Sequence, residues 1–194
     1  ANPAVLARAI KIGGGVVSLA GAAYTGLRGE LAVAIPLGIF GAGASGLYAG
    51  KSVGPAQRTL AEQVLRASGL CVWVDQESDL DLVTALSGSG PAYFFRLAEL
   101  MADASIAQGM EPATARKLAA QTLAGAGQLV AAEIAGAQGA DLARMRAEVT
   151  SKGGTTEAAL AEFDAHGFGA TVAAAQAAAA RRSRELAEQF GAAG

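Results

Sequence analysis

The chain has 194 residues, a formal net charge of −2, 52% hydrophobic residues and only 5% aromatics. A slightly acidic balance argues against a nucleic-acid or acidic-membrane partner, and so few aromatics leave little material for stacking bases. No uninterrupted apolar run approaches the roughly 20 residues of a membrane span, and a single cysteine excludes an intramolecular disulfide scaffold.

The first residues, Ala1-Asn2-Pro3, carry no basic-then-apolar signal segment, so a cytoplasmic protein is expected; the missing initiator methionine suggests a fragment or a processed chain. Up to about residue 77, short Val- and Ile-rich runs alternate with glycines. Gly15–Leu19, Leu31–Ile35, Ser45–Tyr48 and Leu70–Val74 are bounded by Gly or Pro and predict buried strands. Between the last two, Pro55–Arg66 has proline in its first turn and Gly69 just beyond its end, the punctuation of a helix. Strand, helix and strand at this spacing predict part of an α/β sheet. Gly41-Ala42-Gly43-Ala44-Ser45-Gly46 matches the dinucleotide pattern G-x-G-x-x-G. However, Pro36 interrupts the run before it and a strand-like segment, not a helix, follows, so its context is wrong for a cofactor loop. Cys71 sits in an apolar run and reads as a buried, inert thiol.

Beyond residue 78 the pattern is helical throughout. The acids between Asp75 and Asp81 lack the central glycine and terminal Glu of a calcium loop and read as a linker and helix start. Helices are predicted over Pro91–Gln108, Pro112 to about Ala135, Asp141–Glu148, Thr156–Asp164 and Gly169–Phe190. The second is small or apolar on nearly every side, which points to a bundle core or a subunit interface.

Two glycine-and-hydroxyl clusters stand ahead of these helices: Leu86–Tyr93, containing Ser87-Gly88-Ser89-Gly90-Pro91, and Thr150–Thr156, containing Ser151-Lys152-Gly153-Gly154-Thr155-Thr156. A helix start offers unpaired N–H groups and positive dipole charge, glycine lets an anion approach, and Ser or Thr adds a hydroxyl. Taken alone, the first cluster fits a proline-initiated turn as well as it fits a ligand loop. The second is a plausible carboxylate or phosphate nest, with a capped interhelical loop as the plainer reading. Together they suggest a small anionic metabolite. The only histidine, His166, reads as a solvated helix-end residue and cannot build a multi-histidine metal site. No metal is expected, and without an acid–base pair the chemistry must come from a cofactor.

Val83–Tyr93 followed by Val149–Thr156 closely resembles the signature of pyrroline-5-carboxylate reductase, the enzyme of the last step of proline biosynthesis. The resemblance runs from about Gly43 to Gln189; before that, Ala1–Leu6 and Val16–Gly21 look like a later part of that family's nucleotide-binding domain. It implies an α/β plus all-α fold: the C-terminal part of a Rossmann-type nucleotide-binding domain (1–77), then an all-helical dimerisation and substrate-binding domain (78–194). It implies a homodimer able to assemble into decamers, with a small-molecule substrate. By resemblance, Ser151, Gly154, Thr155 and Thr156 cradle the substrate carboxylate. Thr84 is the catalytic residue, its hydroxyl near the ring nitrogen, and the two elements come from different subunits. The implied reaction is hydride transfer from NADPH or NADH to the C=N bond of 1-pyrroline-5-carboxylate. No residue is assigned to the cofactor. The family's fingerprint-bearing opening strand is not in this chain, and Val33–Gly38 replaces a Met-Pro-Asn-Thr-Pro segment. Lys152 stands where many relatives carry proline. This piece alone is therefore expected to bind NAD(P)H poorly and to be inactive. The alternatives are a catalytically silent helical dimerisation module and a related two-domain reductase of another imine or keto acid.

Overall fold

The structure, a computed structural model, describes residues 31–34, 43–66, 69–134 and 140–191. The strand expected at Gly15–Leu19 lies outside the described residues, as does most of Val33–Gly38. The chain divides into two compact units, one formed by residues 1–89 with 183–194 and the other by residues 90–182.

In the first unit, β1 (Leu31–Ala34) runs antiparallel to β2 (Gly43–Ala49), which pairs in parallel with β3 (Gly69–Trp73). Two parallel neighbours need a crossover, and α1 (Pro55–Arg66) supplies it. The register sets Ser45 opposite Cys71 and Leu47 opposite Trp73. Leu47, buried completely, meets Ala61 and Leu65 from α1 and Cys71 from β3, with Trp73 packed on the edge of the cluster. Burial pushes the Cys71 thiol pKa up, as expected of an inert core cysteine. On the rim, the Arg58 guanidinium lies 4.9 Å from the Trp73 ring centroid, and Trp73 Nε1 donates to Glu62 Oε2 at 3.2 Å.

After β3 the chain forms α2 (Asp79–Val83), which passes directly into a π-helical turn, Thr84–Gly88. Leu80 is buried against Tyr48, Val74 and Val83 and seats α2 on the sheet. Gly46 makes that seat possible: a Cβ there would lie 2.8 Å from both γ-carbons of Val83.

The second unit is helical: α3 (Gly90–Ala107), α4 (Pro112–Ile134), α5 (Leu142–Glu148), α6 (Thr155–Ala165) and most of α7 (Phe168–Gly191). Each expected helix is present within a residue or two of its predicted ends. Glu111 caps α4, accepting from the N–H groups of Ala113 at 2.8 Å and Thr114 at 2.7 Å, and these bonds hold its carboxyl below the usual range. Asp141 caps α5 by accepting from Arg144 N at 3.0 Å. Arg144 in turn pairs with Glu148 on its own helix and with Glu133 on α4, which fixes the corner between them.

Helix α3 packs on α4, where Ala102 and Ala115 are buried. Small side chains allow that close approach. The rest of α4 is open: Leu118, Leu129 and Ile134 are 53%, 61% and 52% exposed. The all-round burial expected of this helix is therefore not provided among the described residues, which favours an interface over a bundle core.

Candidate functional site

The loop before α6 follows directly from its residues. Thr150 is occupied structurally, its hydroxyl donating to Arg146 O at 2.6 Å to finish α5. Gly153 takes φ +72°, a conformation that favours glycine, and Gly154 caps α6 in an extended conformation. A Cβ on Gly154 would meet Ser151 Oγ at 2.5 Å, so the absent side chain is what lets the serine hydroxyl lie over the cap. The first intrahelical bond is Ala158 N to Gly154 O at 3.2 Å. The N–H groups of Thr155, Thr156 and Glu157 consequently have no acceptor among the described residues. Ser151, Gly154, Thr155 and Thr156 thus converge on one open helix mouth, with exposed Lys152 beside them.

Glu157 went unnoticed in the sequence, and it matters to this loop. Its Oε2 accepts from Gly153 N at 2.6 Å, tying the left-handed glycine back onto the helix. The signal was available: an acid three residues after a helix cap is the reaching-back half of a capping box.

Thr84 belongs to the other unit, where it opens the π-helical turn after α2. Ser89 N donates to Thr84 O at 2.8 Å, the i→i+5 bond that defines the turn. The wider turn has a local cause. Pro91 has no N–H to return to the Ser87 carbonyl, so the α-helical ladder cannot run through this point. The Thr84 methyl sits near Gly88, where an added Cβ would touch it at 3.7 Å. Thr84 is half-buried, and its hydroxyl has no partner among the described residues. Ser87 is different: its hydroxyl reaches Val83 O at 3.0 Å and, across the fold, Ala44 O at 3.1 Å. The first cluster is therefore neither a flexible turn nor a simple proline-initiated helix start, but a helical turn bonded to the sheet.

Within the glycine pattern at 41–46, Gly43 to Gly46 lie inside β2 and are extended. They form no phosphate-holding turn, and Gly46 faces Val83, so these residues do not fit a dinucleotide. His166 ends α6 exposed, its Nδ1 2.9 Å from Glu162 O. Among the described residues no three His, Cys, Asp or Glu side chains are grouped to hold a metal ion. Among the same residues no helix is long and apolar enough to cross a membrane.

Residues 77–186 match the family model described as pyrroline-5-carboxylate reductase dimerisation. The chain is 49% identical over 150 residues to the pyrroline-5-carboxylate reductase of Pseudomonas aeruginosa, covering 77% of this chain and 53% of that protein. The pyrroline-5-carboxylate reductase structure from Coxiella burnetii superposes with a TM-score of 0.70 at 34% identity, over 80% of this chain and 56% of that one. The Plasmodium falciparum pyrroline carboxylate reductase, solved with NADP bound, superposes with a TM-score of 0.60 at 26% identity, over 74% and 53% of the two chains. The chain spans about half the length of the curated relatives it matches. The α/β plus all-α architecture is the one these structures share with it.

Proposed function

This chain belongs to the pyrroline-5-carboxylate reductase dimerisation family, and from that membership we propose that the full-length protein reduces 1-pyrroline-5-carboxylate to proline in the cytoplasm. NADPH or NADH supplies the hydride, and no described residue is assigned to it. Residues 1–77 are read as part of a Rossmann-type cofactor domain and residues 78–194 as the dimerisation and substrate domain. The family match, which begins at residue 77, supports that division. The open apolar surface of α4 supports a homodimer, and the family resemblance extends the reading to decamers.

The observation that carries the substrate assignment is the set of unpaired N–H groups at the mouth of α6, flanked by hydroxyls and within the family-matched span. A carboxylate placed there would accept charge-assisted bonds from Thr155 and Thr156 N–H and from the Ser151 and Thr156 hydroxyls, aided by the positive end of the helix. Gly154 allows the anion to approach the backbone. The imine, protonated at its ring nitrogen, takes hydride at the C=N carbon, and the nitrogen keeps its proton as the ring becomes proline. Thr84, with an unengaged hydroxyl, accepts the N–H of that protonated imine and so fixes the ring's orientation, the partner subunit's cradle holding the other end. Nothing more acidic or basic is required of the protein, because holding and orienting the substrate is the larger part of the task.

The test is proline formation from 1-pyrroline-5-carboxylate and NADPH by the full-length protein and by Thr156→Val. Loss of one hydrogen bond to a charged group predicts a KM for the imine raised about tenfold or more, with kcat within about twofold. An unchanged KM would remove the cradle, and an inactive full-length protein would remove the reductase reading altogether.

A further inference from the structure

We propose that Ser87 is a positioning residue for Thr84, its hydroxyl clamping the π-helical turn that presents the threonine onto the edge of β2. The inference rests on the role given to Thr84 above and assigns a function to a residue otherwise explained only as part of a glycine-rich turn.

Carbonyl directions along β2 show why the clamp is available. Val74 N donates to Leu47 O at 2.8 Å, so the odd-numbered residues of β2 turn their carbonyls towards β3. The Ala44 carbonyl points to the opposite edge, the one along which β1 pairs with Gly46 to Ala49. There Ser87 Oγ donates to it at 3.1 Å. The same hydroxyl lies 3.0 Å from Val83 O, the carbonyl immediately before Thr84, so its one proton is shared between sheet and turn. On the other flank of Thr84, its own carbonyl accepts from Ser89 N. Val83 is pressed against Gly46 of the same strand. Thr84 is thus held by its neighbours on both sides, while its own hydroxyl has no partner among the described residues. π-turns are rare, short interruptions of helices and recur at functional sites, because the extra residue re-aims a side chain. Here it costs regular helix bonding, and the serine clamp offsets part of that cost.

A clamp of this kind acts on the chemical step rather than on substrate capture, since a small displacement of an orienting group lowers turnover steeply. The test uses the full-length protein with Ser87→Ala, Thr84→Val, the double variant and Ser87→Thr, reading kcat, KM and melting temperature for each. Ser87→Ala is expected to lower kcat about tenfold with KM for the imine little changed. In the Thr84→Val background the same change should cost no further turnover, although it still lowers the melting temperature. Ser87→Thr, which keeps the hydroxyl, should restore most of the rate and stands in if Ser87→Ala does not fold. A slow Thr84→Val beside a normal Ser87→Ala overturns this inference alone, as does a Ser87→Ala loss that persists undiminished without Thr84. A fully active Thr84→Val removes the role of Thr84 itself, and this inference falls with it.

Discussion

Gly46→Ala is the sharpest single test of how the first unit is put together. The added Cβ would lie 2.8 Å from Val83 Cγ1 and Cγ2 and 3.1 Å from Val83 Cβ, roughly 1 Å inside ordinary carbon–carbon contact. Rotating Val83 gives little relief, because both of its methyls are equally close and a β-branched side chain has few rotamers to choose from. Either β2 or α2 must move. β2 is bonded to β1 and β3 on its two sides, and α2 is anchored by buried Leu80, so neither yields easily. Overpacking of this kind costs about 1–3 kcal/mol, and the backbone position of the clash puts the expectation near the upper end. Trp73, the only tryptophan in the chain, sits on β3 opposite Leu47, next to the altered residue, and reports unfolding of this unit by fluorescence. In urea, Gly46→Ala should shift the midpoint down with the slope preserved. Adding Val83→Ala removes both offending methyls, so the double variant should be more stable than the sum of the single losses by about 1 kcal/mol or more. A Gly46→Ala midpoint equal to the parent's, or strict additivity, would refute the packing argument. A loss of cofactor affinity at unchanged stability would instead restore the glycines at 41–46 as a cofactor loop.

Two further outcomes follow from the same geometry. The Trp73 indole N–H, and after it Arg66, hold the Glu62 carboxyl below its usual range. A lowered folded-state pKa stabilises the fold above the unfolded value of 4.5 and loses that contribution as pH falls through the lowered value. The stability of the sheet unit should therefore decline in acid below that point, and Glu62→Gln should flatten the decline when Trp73 fluorescence is followed against pH. An equally steep decline in Glu62→Gln would show that the carboxylate is not responsible. If α4 forms the dimer interface, Leu129→Asp buries a charge there and should convert the protein to monomers by sedimentation velocity. An unchanged dimer would place the interface elsewhere.

Much of the candidate site was legible before any coordinates. The Ser151–Thr156 segment announces itself because glycines and hydroxyls at a helix start have a local meaning, set by backbone geometry within a few residues. Helix ends were equally legible at Pro55, Pro112 and Gly109, where proline or glycine changes the backbone options directly. Glu157 was legible in principle through its spacing from the cap. Ser87 was not, because its decisive partner, Ala44, lies 43 positions away in sequence. The π-helical form of residues 84–88 was only partly legible: Pro91 marks a break in the α-helical ladder, but glycine and serine suggest an open turn, and the bond from Ser87 to β2 that holds a helical one is long-range.

Local rules acting on the sequence alone determined where helices start and stop, that a strand–helix–strand unit precedes a helical half, and that a helix mouth lined by glycine and hydroxyls opens before α6. Tertiary structure alone decided that β1 lies antiparallel on β2, that Gly46 sits against Val83, and that Thr84 stands on a turn bonded to the sheet. The division has one physical cause. Capping, proline and glycine effects act over a single turn of chain, whereas strand direction, close packing at Gly46 and the reach of Ser87 depend on which distant segment fills the neighbouring space.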